Sequence, residues 1–293
     1  MKRAFVRLSA LASFLACGSL AAACIHPPAD WKGSLSQTGQ TAMIFWKDGV
    51  EDLVIKPTYQ SKSAAPPAEL AWVVPLPNEP KSYGTVDVAA FQDLFEAWEK
   101  ARPKLRAKGA RSANAPRAQG IKLLPKAVVG DYTIQPIEAR GKESGPALNA
   151  WLEGNGFSTV PLENMAYYLE REWVWLCVKA KTKAAKGDLR PLRITFETPR
   201  IVYPLKFSTH QGTFAVTLWV ITEQPLADGW GDAASVYGFS GPQLSFPLPK
   251  SVAEAAAGTK LSGEVSVTKL QHPQLKGEGI ARWKRDFQLE PAK

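Results

Sequence analysis

An α+β fold, built of mixed, mainly antiparallel sheets with a few short helices, is what this sequence predicts. Three observations carry that expectation. Strand-like apolar runs outnumber helical ones, and turn dipeptides such as Asp48-Gly49 and Gly130-Asp131 join some of them at hairpin spacing. The helical periodicities are segregated rather than alternating with every strand. The chain has 293 residues, 45% hydrophobic and 22% charged, enough for a good core in one large domain or two small ones.

The first element reads as an export leader over residues 1–23. Met1-Lys2-Arg3 and Arg7 form a positive head, Leu8 to Leu20 an apolar stretch, and Ala21-Ala22-Ala23 a small-residue cleavage site. No later stretch is long and apolar enough to span a bilayer as a helix. The expected location is therefore outside the cytoplasm: periplasmic, anchored to the outer membrane, or extracellular. Cleavage would leave Cys24-Ile25-His26-Pro27 at the front, and Ala-Ala-Ala-Cys fits a lipobox loosely, with alanine replacing the usual leucine. Cys24 is thus a candidate lipid-attachment residue. Two other readings stay open: a disulfide from Cys24 to Cys177 in an oxidising compartment, or two inert thiols, since Cys177 lies in the apolar run Trp173 to Val178.

Gln40 to Lys47 and Val50 to Ile55 read as a hairpin around Asp48-Gly49. Pairing Lys47 with Val50 sets Ile44 opposite Leu53 and Ala42 opposite Ile55 on one face, and Met43 opposite Val54 on the other. Both faces are apolar, so both should be covered. In Glu69 to Pro80, Leu70 to Val74 is a buried strand that Pro75 is expected to end, with Pro77 and Pro80 holding the exit extended. Trp72 should be fully enclosed.

Val88, Phe91, Leu94, Phe95 and Trp98 recur at helical spacing, with Asp87 as N-cap, and Arg102-Pro103 stops the helix. A basic loop follows, about 100–126, then a second hairpin, Lys126 to Val129 with Tyr132 to Ile137. Pro146 to Glu153 and Leu162 to Glu172 read as short helices. Trp173 to Ala180, Leu192 to Thr198, Ile201 to Phe207 and Thr213 to Ile221 read as strands, with weaker strand signals at Glu264 to Leu270 and Trp283 to Leu289. Three units result: the leader (1–23), an α+β domain (24–224), and a Gly/Pro-rich C-terminal extension (225–293) packing short strands on it. Thr41 to Pro75 is faintly echoed at Trp173 to Leu205, which admits a reading as two similar halves.

Ala71-Trp72-Val73-Val74-Pro75-Leu76-Pro77, Trp151-Leu152 with Asn155-Gly156-Phe157, Pro191-Leu192-Arg193-Ile194-Thr195-Phe196 and Tyr203-Pro204-Leu205-Lys206 occur in that order. With Gln40-Thr41-Ala42 and Val129-Gly130-Asp131-Tyr132, they resemble the bacterial domain-of-unknown-function family 2330, exported proteins with no assigned activity. The resemblance spans roughly Thr38 to Gln224. It implies an extracytoplasmic scaffold and transfers no catalytic residues. Several relatives carry paired cysteines after the leader and some a C-terminal membrane helix, whereas here Cys24 stands alone and the chain ends Glu290-Pro291-Ala292-Lys293.

The formal charge of +9 is local. The leader holds three of the 36 basic residues, so residues 24–293 carry 33 basic against 27 acidic ones. Lys100 to Lys126 contains nine basic residues and no acid, among them Lys104, Arg106, Lys108 and Arg111, the candidate polyanion-binding residues. Outside the membrane their partners would be anionic lipid headgroups or acidic polysaccharide. The stretch lacks the aromatics of a nucleic-acid groove, and export argues against nucleic acid as well.

No His-x-x-x-His, Cys-x-x-Cys or Gly-x-Ser-x-Gly pattern occurs. Neither a metal nor a cofactor is expected. His26, His210 and His272 read as loop residues, and the pairs Glu51/Asp52 and Glu170/Glu172 as turn-adjacent or solvent-facing carboxylates. Trp31, Trp230 and Trp283 are the tryptophans expected to be exposed, and Asp228, Trp230 and Asp232 form a turn-rich loop able to touch a sugar or a cation. The expected function is a non-catalytic cell-envelope binding or scaffold protein; the alternative is a secreted hydrolase acting on cell-wall or extracellular polymer through dispersed residues.

Overall fold

Asp48 and Gly49 adopt positive φ (51° and 77°), the conformation a two-residue hairpin turn demands, and they seed the central hairpin. The computed structural model describes residues 25–28, 31–33, 35–61, 63, 67–102, 120–156, 159–182, 186–209 and 211–291. Along the chain run β1 (Ile25–His26), β2 (Leu35–Lys47), β3 (Val50–Ser61), β4 (Glu69–Leu76), β5 (Ser82–Thr85) and α1 (Ala89–Ala101). After these come β6 (Gly120–Leu123), β7 (Ala127–Val129), β8 (Tyr132–Arg140), α2 (Ser144–Gly154), α3 (Leu162–Leu169) and β9 (Val174–Lys181). Next are β10 (Lys186–Asp188), β11 (Leu192–Glu197), β12 (Ile201–Tyr203), a 3₁₀ turn (Leu205–Ser208) and β13 (Thr213–Thr222). The last elements are α4 (Trp230–Ser235), β14 (Gln243–Pro247), α5 (Lys250–Ala255), β15 (Glu264–Lys276), α6 (Gly277–Ala281) and β16 (Phe287–Leu289).

Two large sheets organise most of them, and β12 and β16 form a separate two-stranded sheet. The larger runs β14-β15-β13-β2-β3-β11-β5, with β10 also on β3; the smaller runs β1-β4-β9-β8-β6, with β7 also on β8. Among the described residues every strand pair is antiparallel except β2 with β13, so the α+β expectation with mixed, mainly antiparallel sheets holds. The β2/β3 register is the one the alternation predicts, Ile44 opposite Leu53 and Ala42 opposite Ile55.

That register sorts the core into two layers. Ala42, Ile44, Leu53 and Ile55 join β13 residues Val216, Leu218 and Val220 in one cluster, which continues through Trp72, Trp175 and Tyr132 of the smaller sheet. Met43, Phe45 and Val54 face the other way, onto Phe91, Leu94 and Trp98 of α1 and Val252 and Ala255 of α5. A helix with one apolar stripe is suited to cover a sheet face in this way. Asp87 caps α1, its Oδ1 accepting the Ala89 N–H at 2.8 Å, and Val86 packs into the same cluster as Phe91.

Several elements differ from the sequence expectation. Pro75 does not end β4, which continues to Leu76 with Pro75 opposite Trp175. The proline is tolerated because β1 flanks β4 only at Ala71 and Trp72, leaving the missing N–H on an edge. The segment expected as one strand from Ile201 to Phe207 is a three-residue strand followed by the 3₁₀ turn. The echo of two similar halves is not a repeated unit: β2 and β3 pair with each other, while β9 and β11 lie in different sheets. Beyond residue 224, β15 is an interior strand paired with β13 from Thr213 to Thr222, a role its weak alternation hid. The two ends of the basic stretch are regular, Lys100 in α1 and Lys122 in β6.

Candidate functional site

Because successive strand residues point to opposite faces, the adjacent carboxyls Glu51 and Asp52 of β3 open onto different layers. Of the expected turn-adjacent or solvent-facing positions the first holds, since both follow the Asp48-Gly49 turn, and the second does not, since both are fully enclosed. Asp52 lies on the α1/α5 side. Its Oδ1 accepts the Thr195 hydroxyl at 2.5 Å, and its Oδ2 accepts the Gly258 N–H at 2.9 Å, the Thr259 N–H at 2.7 Å and the Thr259 hydroxyl at 2.9 Å. One carboxylate thus fastens the turn after α5 to the sheet. A Cβ at Gly258 would collide with Thr195 and Asp52, so the close approach requires glycine there.

Glu51 opens onto the inter-sheet layer. Its Oε2 accepts the Val202 N–H of β12 at 3.0 Å, while Oε1 has no hydrogen-bond partner among the described residues. Burial pushes its pKa well above the ordinary carboxylate range; the Val202 bond opposes this and the Asp52 charge adds to it. The shift favours the neutral acid at a position where an unpaired charge would be costly.

β12 pairs in turn with β16, Val202 opposite Gln288, and just before β16 lies the third enclosed carboxyl, Asp286. Oδ2 of Asp286 accepts the Tyr168 phenol at 2.5 Å; Oδ1 accepts the backbone N–H groups of Lys206 and Phe287, each at 2.9 Å. The Asp286 N–H donates to the Tyr167 oxygen at 2.9 Å, and its carbonyl accepts the Tyr237 phenol at 3.0 Å. Tyr168 Oη also accepts the Phe207 N–H at 2.8 Å. Burial pushes Asp286 up to about 6, against these hydrogen bonds. The Lys206 ammonium donates to the Trp283 carbonyl at 2.6 Å and lies 5.3 Å from the Tyr167 ring, on which Arg171 also stacks at 3.8 Å. The three carboxyls tie the C-terminal segment to β3, α3 and the 3₁₀ turn.

An acid beside a phenol can pass a proton, but here every oxygen of Asp286 and Tyr168 is engaged and both residues are enclosed. The arrangement works as a cross-link. Glu51 was legible in part, since it shares a face with Leu53 and Ile55; nothing in Lys284-Arg285-Asp286-Phe287 signals the burial of Asp286.

The sequence-predicted residues lie elsewhere. Cys24, Lys104, Arg106, Lys108, Arg111 and His210 fall outside the described residues. Among the described residues Cys177 is a free, buried thiol whose pKa burial raises; its partner in the disulfide reading, Cys24, lies outside them. Asp228 and Asp232 are exposed, but Trp230 begins α4 and is half-buried against the core, as are Trp31 and Trp283. Among the described residues no group of His, Cys, Asp or Glu is placed to hold a metal. Glu170 is exposed and Glu172 half-buried. His26 and His272 are strand residues rather than loop residues, and His272 packs on Phe239 with ring centroids 5.6 Å apart.

A family described as an uncharacterized protein conserved in bacteria, domain-of-unknown-function family 2330, matches residues 18–239. The chain belongs to this family. The match takes in β1 through β13 and α4, so the family 2330 portion contains Glu51 and Asp52, while Asp286 lies beyond it. No curated protein matches the chain. Among solved structures it is similar to baculovirus P35, at 11% identity over 92% of this chain and 100% of that one, TM-score 0.47. A mutated baculovirus P35 after caspase cleavage is similar at 10% identity, 88% and 100% coverage and TM-score 0.45.

Proposed function

We propose that this chain is an exported, non-catalytic binding or scaffold protein of the bacterial envelope. Residues 1–23 act as the leader, Cys24 becomes the lipid-bearing first residue, and the acid-free run containing Lys104, Arg106, Lys108 and Arg111 holds the protein to an anionic surface. One structural observation supports this reading most. The deeply placed carboxyls, the groups a hydrolase would deploy, are enclosed and engaged in holding chain segments to one another, Asp52 by the Gly258 and Thr259 N–H groups and Asp286 by the Lys206 N–H and the Tyr168 phenol. A scaffold needs that rigidity, and the surface is left for recognition.

The test is to express the full chain in a bacterial host, fractionate the cells and weigh the mature protein. The expected result is an envelope-associated chain beginning at a diacylated Cys24. A cytoplasmic chain retaining Met1 overturns the reading; an exported chain with an unmodified Cys24 removes the anchor and keeps the rest. Replacing Lys104, Arg106, Lys108 and Arg111 together by serine should abolish retention on anionic vesicles at low salt.

A further inference from the structure

The C-terminal part of the run from Lys100 to Lys126 includes β6, and β6 and β7 together lie along the outer side of β8. Here the smaller sheet breaks its own rule. Leu123 is 53% exposed and Val128 is 72% exposed, while β8 beside them buries Tyr132, Ile134, Ile137 and Ala139.

The register sets their geometry. Leu123 lies opposite Ile137 and Val128 opposite Thr133, and residues directly opposite in a sheet share a face. Ile137 and Thr133 are four residues apart on one strand, so Leu123 and Val128 project from the same face about 14 Å apart. Lys126 is exposed between them in sequence; Lys179 of β9, opposite Thr133, is half-buried with its ammonium 3.9 Å from the Glu69 carboxylate, so its charge is already met. No acid occurs from Lys100 to Lys126.

We infer that the β6–β7 edge docks on an anionic phospholipid bilayer, with Leu123 and Val128 entering the interface and Lys126 between them meeting headgroup phosphates. This rests on the reading that the chain binds an anionic envelope surface, and it names the source and the mode. Branched apolar side chains flanked by lysines are the composition of an interfacial contact, in which apolar insertion and attraction to anionic lipid add. An acidic polysaccharide offers the two apolar groups nothing to enter. A second copy paired at this edge would bring its lysines against these, the arrangement by which sheet edges resist self-association.

The experiment is co-sedimentation of the mature chain with vesicles of phosphatidylglycerol and phosphatidylethanolamine. The comparison is with a Leu123→Ser/Val128→Ser variant; both sites are exposed, so folding is retained and is checked by circular dichroism. The wild-type chain should bind at about 0.05 M and, more weakly, at about 0.15 M salt. The double variant should keep the low-salt binding and lose about tenfold in affinity at the higher salt, where insertion carries more of the attachment. Equal binding of both proteins at both salts overturns the docking edge and leaves the anionic-surface reading standing. Retention on an acidic polysaccharide without vesicle binding also overturns it, as does a concentration-dependent dimer that the double variant abolishes. Absence of wild-type binding to every anionic surface removes both.

Discussion

Tyr168 of α3 donates its phenol at 2.5 Å to Asp286, 118 residues further along the chain, and both side chains are fully enclosed. The bond joins the C-terminal segment to the middle of the protein, and it has a pH signature. Burial raises Asp286 from 3.8 to about 6, so the folded chain holds this proton more tightly than the unfolded one does. The stability linked to it is fully present below the unfolded value, near pH 4, and is lost as pH rises through about 6. The loss is roughly 3 kcal/mol, two pKa units at about 1.4 each. Asp286→Asn retains an acceptor for Lys206 and Phe287 and removes the titration. The stability difference between wild type and variant, from denaturant melts, should shift against wild type by about that amount between pH 4 and pH 7. A pH-independent difference would show that Asp286 keeps an ordinary carboxylate pKa.

Trp72 is 2% exposed, and its ring packs 6.1 Å from that of Tyr132 between the two sheets. Trp72→Ala should cost on the order of 3 to 5 kcal/mol through lost burial and the cavity left behind. Val128→Ser, at an exposed position, should stay within about 0.5 kcal/mol of wild type. Equal melting temperatures for the two variants would mean that the indole is not part of the core.

Where alternation and turn chemistry agreed, the fold was legible: Asp48-Gly49 fixed the register of β2 and β3, and the Phe91, Leu94 and Trp98 spacing marked the buried face of α1. What was illegible depended on partners distant in sequence. Pro75 stays in its strand because the neighbouring strand is too short to need its N–H, which no local pattern encodes. Asp52 is enclosed because Gly258 and Thr259, some two hundred residues on, bring their N–H groups to it. Burial of a carboxylate follows from its donors, and those are set by topology.

Asp52→Ala removes the acceptor shared by Thr195, Gly258 and Thr259. Two backbone N–H groups would be left in a low-dielectric layer, at a cost of about 3 kcal/mol. The turn after α5 should loosen first. Lys260 is exposed and follows Thr259, so limited trypsin digestion should cut there in the variant well before it does in wild type. Unchanged digestion kinetics would mean that α5 is held by its apolar contacts alone.

The Cys177 thiol is enclosed in β9, and burial raises its pKa, so both access and thiolate formation oppose reaction. In native, non-reducing buffer it should resist thiol reagents; in denaturant without reductant it should react fully. Recovery of that thiol only after reduction would establish the Cys24–Cys177 disulfide instead.

Glu51 provides the sharpest separation between charge and hydrogen bonding. Its folded pKa is raised, so its stabilising contribution is full below the unfolded value near 4.5 and declines as pH rises through the folded value. Glu51→Gln reproduces the neutral acid: an amide oxygen can accept the Val202 N–H, and the amide N–H₂ occupies the place of the Oε1 atom that lacks a partner. The variant should match wild type near pH 4 and exceed it in stability at the alkaline end of its folding range. Glu51→Ala should be worse than wild type near pH 4, because it leaves Val202 without an acceptor and opens a cavity, at about 1 to 3 kcal/mol. Thermal melts of the three proteins across pH 4 to 9 decide it. A Gln variant less stable than wild type at high pH would mean that the carboxylate is charged in the folded protein and is held by a partner not yet seen.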